Sequence, residues 1–232
     1  MGGQACVFYG AAEFSRDLDL LVLTDPDSLN RLRTALADLD AVPIAVPALT
    51  ARELDRGHAV HFRCRRADVA GLRIDLMSSL RNMPGFEDLW ARRTTIDAEG
   101  ESIDLLSLAD LVGAKKTQRA KDWPMIQRLM EQSYFAGDAA GDTPAFWLSE
   151  LRTPELLIES VQRFPDLARE AAKTRRALAC ALAGDPDATA AALEQEERDE
   201  RSRDRIWWEP LRRELDAIRT ENTQTGSTAP RP

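Results

Sequence analysis

Residues 15–23, with the sequence SRDLDLLVL, decide how the chain can be organised. From Leu18 the stretch is aliphatic except for Asp19, and it ends just before the turn signal Asp25-Pro26-Asp27. The pattern predicts a buried β-strand. Side chains alternate between the two faces of a strand, so Asp17 and Asp19 lie on one face and Leu18 on the other. Two carboxylates on one face repel each other and are costly to bury, and a bound divalent cation would remove that cost.

A third carboxylate, Asp75, lies within a second aliphatic stretch. The segments HAVHFRCR (58–65) and LRIDLM (72–77) flank a turn and predict a hairpin with Asp75 in its second strand. If this strand neighbours the first one, the three carboxylates converge on one metal site. Magnesium or manganese would suit such a site, because these ions bind carboxylate oxygens together with substrate phosphates. Two ions about 3.5–4 Å apart are typical of phosphoryl and nucleotidyl transfer.

A candidate phosphate-binding segment precedes the aspartate pair. Gly2 and Gly3 open a small, apolar segment that predicts a helix, and Ser15 follows it. Glycine lets backbone N–H groups come close to a phosphate, and a helix N-terminus favours an anion. The Ser15 hydroxyl can add another hydrogen-bond donor. A phosphate-binding segment beside a metal site is what a nucleoside triphosphate (NTP) requires.

The combined motif resembles that of a known superfamily. A glycine pair, then Asp-x-Asp, then a lone Asp on a later strand is the pattern of nucleotidyltransferases with the polymerase-β-type fold. The wording GGQACVFYG…FSRDLDLLVL is similar to the branch of abortive-infection and toxin–antitoxin nucleotidyltransferases. The segment LLSLADLVGAKKTQRAKD (105–122) is similar to the helix that follows the catalytic domain in that branch. The resemblance covers about residues 1–130.

The resemblance implies a role for each motif residue. The β- and γ-phosphates of an NTP would be held by Gly2, Gly3 and Ser15. Two magnesium or manganese ions would be bound by Asp17, Asp19 and Asp75, and the triphosphate would be approached by Lys115 or Lys116. An acceptor hydroxyl would attack the α-phosphate, pyrophosphate would leave, and Asp75 would accept the hydroxyl proton.

The sequence leaves the acceptor and the biological setting open. The acceptor could be RNA, protein or a small molecule, and a toxin–antitoxin or phage-defence system would add a cognate antitoxin or toxin as a partner. The basic residues around Lys115 and Lys116 suit either a solvated helix face or a polyanion. Glu13 stands where many relatives carry arginine. The alternative function is therefore a non-catalytic or antitoxin-like module that binds a partner on the same fold.

Composition excludes several other classes of protein. The 232 residues carry 31 basic and 39 acidic side chains, and the net charge of −8 argues against coating nucleic acid by bulk charge. A 44% hydrophobic share in a chain of this length can form a core without disulfides. The three cysteines show no metal-ligand spacing. No apolar run approaches the ~20 residues of a membrane helix, and no signal peptide is recognised, so we expect a cytoplasmic protein with no membrane partner.

The predicted fold class is α+β. A polymerase-β-like nucleotidyltransferase domain with a mixed sheet is expected over residues 1–103, an all-α domain over 104–217 and a disordered tail over 218–232. The helix after the first strand would be capped by Asp27 or Ser28, and AVPIAVPAL (41–49) would be an edge segment. Later helices are expected at 154–163, 165–183 and 187–217. His58 and His61 are expected on opposite faces of a strand, one packed and one exposed.

Overall fold

The computed structural model of the protein describes residues 1–137, 141 and 143–224, which form an α+β structure. The first half contains all of the described strands, in the order α1 (Gly2–Phe8), β1 (Asp17–Leu21), α2 (Pro26–Asp38), β2 (Ala41–Pro43), α3 (Ala51–Asp55), β3 (Val60–Cys64), β4 (Arg73–Met77), α4 (Phe86–Ala91), β5 (Thr94–Ala98) and β6 (Glu101–Leu105). The elements that follow are helical: α5 (Leu108–Lys115), α6 (Trp123–Ala136), α7 (Thr143–Glu150), α8 (Pro154–Arg163), α9 (Pro165–Ala171), α10 (Arg176–Leu182) and α11 (Pro186–Gln224).

The main sheet has four strands in the order β1-β4-β3-β2. β1 pairs with β4 in parallel, whereas β4 pairs with β3 and β3 with β2 in antiparallel fashion. The prediction of a mixed sheet is therefore confirmed, as are the β3–β4 hairpin and the edge position of residues 41–43. β1 is also an edge strand, so all five of its residues are half-buried rather than buried as expected.

The hydrophobic core of the sheet lies on one face. Its core face packs against α2 and α3, because residues at alternate positions of the strands are aliphatic or aromatic. The buried members of this core are Leu29, Leu36, Leu54, Val60, Phe62, Cys64, Ile74 and Leu76. Leu18 and Leu20 pack against the same cluster from β1. Burial of this one face fixes the register of every strand, since a slip by one residue would turn the apolar set outward.

Two local details differ from the sequence prediction. The N-cap of α2 is Asp25, whose carboxylate accepts a hydrogen bond from the Ser28 N–H at 2.9 Å, and not Asp27 or Ser28. Pro26 then occupies the first turn, where its missing N–H has no partner to lose. The β5–β6 hairpin was not predicted, although Glu99 and Gly100 at its turn both have positive φ, as two-residue hairpin turns require.

The helical elements follow the predicted order with one break and one extension. Helix α8 covers the predicted residues, but the expected helix over 165–183 is divided into α9 and α10. At the break, Arg175 has extended backbone angles and donates hydrogen bonds to the Leu151 carbonyl at 2.9 Å and to the Glu196 carboxylate. The Arg175 N–H still donates to the Ala171 carbonyl at 3.0 Å, so the interruption lies in the extended backbone angles of Arg175 and not in a lost hydrogen bond of its N–H. Helix α11 continues to Gln224, so residues 218–224 of the predicted disordered tail are helical, and 225–232 lie outside the described residues.

The chain divides into two compact units. The first contains residues 1–8, 12–114 and the chain from Ile206 onward, and the second contains residues 9–11 and 115–205. Within the first unit, Glu214 of α11 accepts hydrogen bonds from Arg56, at 3.0 Å from its Nε, and lies 3.1 Å from the buried His58 ring. Within the second, Trp147 is fully buried and donates to Ser133 Oγ at 3.0 Å.

Of the helices in the described part of the chain, none combines the length and the apolar character needed to span a lipid bilayer.

The one-sided core predicts unequal effects of truncating neighbouring residues of β4. Leu76 is fully buried on the core face, whereas Met77 is half-buried on the opposite face. We expect Leu76→Ala to lower the free energy of unfolding by about 2–5 kcal/mol, because it leaves a cavity in the core. Met77→Ala should lower the free energy of unfolding by less than half of that amount, as measured by urea unfolding of both variants. Equal losses for the two variants would contradict a single apolar face.

Candidate active site on the polar face of the sheet

The face of the sheet opposite the core carries two rows of charged side chains. Strand register places Asp19, Asp75 and His61 side by side across β1, β4 and β3. The adjacent row, two residues along each strand, consists of Asp17, Arg73 and Arg63. Neighbouring strands are about 4.8 Å apart and residues i and i+2 share a face, so all six side chains form one polar patch. The predicted neighbourhood of Asp17, Asp19 and Asp75 is therefore confirmed at the level of strand register.

Asp75 is the most buried carboxylate of this patch. The residue is 8% exposed, and its Oδ1 atom lies 2.8 Å from His61 Nδ1 and 2.8 Å from Arg73 Nε. Burial by itself raises the pKa of Asp75, but the hydrogen bonds from His61 and Arg73 outweigh it and hold that pKa below its ordinary value of 3.8. Asp75 is therefore an ionised carboxylate and a weaker base than a free one, which lessens its fitness for the predicted role of proton acceptor.

Arg73 is the cation that balances the patch. Its hydrogen bond to Asp75 raises the pKa of the guanidinium despite partial burial, and attraction to Asp17 and Asp19 adds to that increase. Arg63, at the far end of the same row, has no ion pair among the described residues, and neither has Arg65 after the end of β3. The patch thus has three clustered carboxylates, of which Asp75 is bonded to Arg73, and two further arginines, Arg63 within it and Arg65 beside it, are left available to an anion.

The glycine pair packs directly against the aspartates. A Cβ atom on Gly2 would lie 1.9 Å from Asp19 Oδ2, and one on Gly3 would lie 2.4 Å from Ser15 Oγ. The Gly3 N–H points to Asp19 Oδ2 at 3.4 Å, and the Ser15 hydroxyl donates to the Asp17 carbonyl at 3.1 Å. Any larger residue at either position would displace a site side chain. The predicted grouping of Gly2 and Gly3 with Ser15 and the aspartate pair is therefore present in the structure.

The donor set fits a hard divalent cation. Asp17 and Asp19 supply carboxylate oxygens from one face, and the close fit of Gly2 leaves no room for a side chain beside Asp19. Magnesium binds through one or two carboxylates and completes its shell with water and substrate phosphates. Within residues 1–137, 141 and 143–224, no three His, Cys, Asp or Glu side chains are arranged to hold a metal ion as they stand. The role of Asp75 as a metal ligand stays a prediction.

The two predicted lysines belong to the second unit. Lys116 Nζ lies 2.7 Å from Glu150 Oε1, and Lys115 Nζ lies 3.7 Å from Asp122 Oδ1. Asp122 is 3% exposed and also accepts hydrogen bonds from Thr117 and Arg119. Both lysines therefore have carboxylate partners within their own unit, and their approach to a triphosphate stays a prediction.

The histidines do not divide into one packed and one exposed residue, as the sequence suggested. His58 precedes β3, is 1% exposed and contacts Glu214. His61 is half-buried and bonds to Asp75, so it is a site residue that the sequence analysis missed. The signal was present, because a hairpin that pairs Val60 with Leu76 must also place His61 opposite Asp75. A polar residue opposite a carboxylate on the polar face of a hairpin indicates a direct contact between the two side chains.

Comparisons with known proteins do not indicate a function for this chain. No family model matches the chain, and no curated protein or solved structure is significantly similar to it. The case for a function therefore rests on the motif residues and on the geometry of the polar patch.

The close packing of Gly3 against Ser15 predicts a coupled effect of two substitutions. Gly3→Ala should lower the free energy of unfolding by about 1–3 kcal/mol, because the new methyl group overlaps the Ser15 side chain. In a Ser15→Gly background the same change should cost much less, since the overlapping atoms are gone and alanine favours helix formation. Urea unfolding of the four proteins measures this coupling as a double-mutant cycle. Equal costs in both backgrounds would show that the two residues are not packed together.

Proposed function

We propose that the protein is a metal-dependent nucleotidyltransferase of the polymerase-β type, which moves a nucleoside monophosphate from an NTP to a hydroxyl group. The observation that carries the proposal is the polar face of the sheet. Asp17 and Asp19 share that face, Asp75 lies beside Asp19 in register, and Gly2 packs against Asp19 with no room for a side chain. A binding module has no need to gather three carboxylates beside a glycine pair, because their mutual repulsion is unfavourable.

The chain offers ligands for both the metal and the phosphates. Magnesium or manganese would be held by Asp17 and Asp19, with Asp75 as the proposed third ligand. When bound, the metal would neutralise charge on the triphosphate and polarise the α-phosphate. Backbone N–H groups of Gly2 and Gly3 and the Ser15 hydroxyl are the candidate hydrogen-bond donors to the phosphate oxygens. The Gly3 N–H and the Ser15 hydroxyl would exchange their present partners, the Asp19 carboxylate and the Asp17 carbonyl, for phosphate oxygens. The first unit thus contains proposed ligands for a whole triphosphate.

The proposed reaction is a displacement at the α-phosphorus. The acceptor hydroxyl oxygen forms a bond to that atom and gives up its proton to solvent water, the bond to the bridging oxygen breaks, and pyrophosphate leaves with the electron pair. Arg63 and Arg65 support an acceptor that is itself anionic, such as RNA, because both are exposed cations near the patch without ion pairs among the described residues. A role in a toxin–antitoxin or phage-defence system, with a cognate protein partner, follows from the sequence resemblance alone.

A label-transfer assay tests this function. The full chain is incubated with each α-labelled NTP, magnesium and a cell extract that contains RNA and protein acceptors. We expect label in one acceptor class. Asp17→Asn should reduce the transfer of label by about 100-fold or more, because it removes the negative charge of a carboxylate that is proposed to hold the metal during the reaction. The matched control is Asp55→Asn, which changes an exposed aspartate of α3 and should transfer label like the wild type.

The outcome also separates the two candidate functions. Transfer that survives Asp17→Asn would mean that the label is moved by a contaminant or by another site. A folded protein that transfers none of the four nucleotides would overturn the enzymatic proposal. The partner-binding module on the same fold would then be the better interpretation.

A further inference from the structure

His61 contacts Asp75 from a different strand. Arg73 lies two residues before Asp75 on β4, whereas His61 belongs to β3 and is paired with Asp75 across the hairpin. An ionised carboxylate can only accept, so this 2.8 Å contact needs a hydrogen on His61 Nδ1, and Arg73 Nη2, 3.2 Å from the same nitrogen, is then a close neighbour and not a donor to it. His61 therefore acts on Asp75 as a hydrogen-bond donor through Nδ1.

Both donors converge on the same oxygen atom of Asp75. His61 and Arg73 each lie 2.8 Å from Oδ1, and no donor in the described parts of the chain is bonded to Oδ2. Across the sheet, His61 flanks Asp75 on one side and Asp19 flanks it on the other. The carboxylate is thus anchored through the oxygen that His61 contacts, and its second oxygen remains available.

We propose that His61 is a positioning residue, which orients the Asp75 carboxylate so that Oδ2 serves the metal site formed with Asp17 and Asp19. This inference rests on the proposed function. A carboxylate that is free to rotate loses conformational entropy when it binds a metal, whereas one held by hydrogen bonds is already oriented. Outer hydrogen-bond partners of metal ligands change metal affinity by about 10–100-fold when they are removed.

His61 is a cleaner probe of this orientation than Arg73. Arg73 also attracts Asp17 and Asp19, so its removal would change the charge around the metal and the orientation of Asp75 together. Asparagine and glutamine at position 61 are both uncharged and differ in where they place the amide. The side-chain nitrogen of asparagine can occupy the place of Nδ1, whereas that of glutamine reaches toward the place of Nε2. The two substitutions therefore separate the loss of the hydrogen bond from the loss of the imidazole ring.

Manganese binding to the full chain tests the proposal without any measurement of activity. Free Mn²⁺ is measured by electron paramagnetic resonance as the protein is titrated, and thermal unfolding of each variant is recorded without metal. His61→Gln should weaken Mn²⁺ binding by about 10-fold, and His61→Asn should bind close to the wild type. His61 is half-buried, so we expect both variants to fold, and His61→Ala replaces the glutamine variant if it unfolds.

The possible results distinguish this inference from the proposed function. If both variants bind Mn²⁺ like the wild type, or if both lose affinity equally, His61 does not act through its Nδ1 hydrogen bond, although the metal site itself stands. If the wild type does not bind Mn²⁺, or if binding persists in the Asp17→Asn, Asp19→Asn double variant, the metal site is wrong and the proposed function falls with it.

Discussion

The parallel pairing of β1 with β4 is the interaction on which the rest of the structure depends. It is fixed by the core, because Leu18, Ile74 and Leu76 must all face α2 and α3. Once these three side chains are buried on one face, the alternation of side chains along each strand places the residues between them on the other face. Asp17, Asp19 and Asp75 must then share the opposite face, with Asp19 beside Asp75. The hydrophobic effect thus assembles a cluster of like charges that would not form by itself.

The charged patch remains tolerable because other elements of the first unit balance it. Arg73 lies within the patch, His61 completes the hydrogen bonding of Asp75, and the edge position of β1 keeps its aspartates partly in water. A chain selected only for stability would have no reason to keep three carboxylates here, since apolar or neutral residues would avoid the repulsion. Natural proteins depart from locally favourable choices chiefly at functional sites. The patch therefore supports a site that receives positive charge from outside the chain.

The sequence was sufficient for the parts of the site that follow from periodicity. Alternation in residues 17–21 and 73–77 predicts which carboxylates share a face, whereas the glycine pair predicts an approach to a phosphate and not the close contact with Asp19 that the structure shows. The place of His61 in the candidate site was not predicted, because it depends on the register between two strands, which the sequence of one strand does not reveal. The break near Arg175 was not predicted for a similar reason, since its side chain bonds to residues distant in sequence, which local helix propensity does not reveal. The helical extension to Gln224 is the opposite case, because the polar residues 218–224 predict disorder although they continue a long helix.

The central claim is that a divalent cation binds on the polar face between β1 and β4. Paramagnetic broadening of backbone amide signals by Mn²⁺ tests it most directly, because the effect depends on distance from the ion. The account predicts that substoichiometric Mn²⁺ broadens the amides of Gly3, Leu18, Leu20 and Ile74 first, and that the Asp17→Asn, Asp19→Asn double variant loses this pattern. Broadening centred on the acidic residues 194–200 of α11, or spread evenly over the surface, would contradict it.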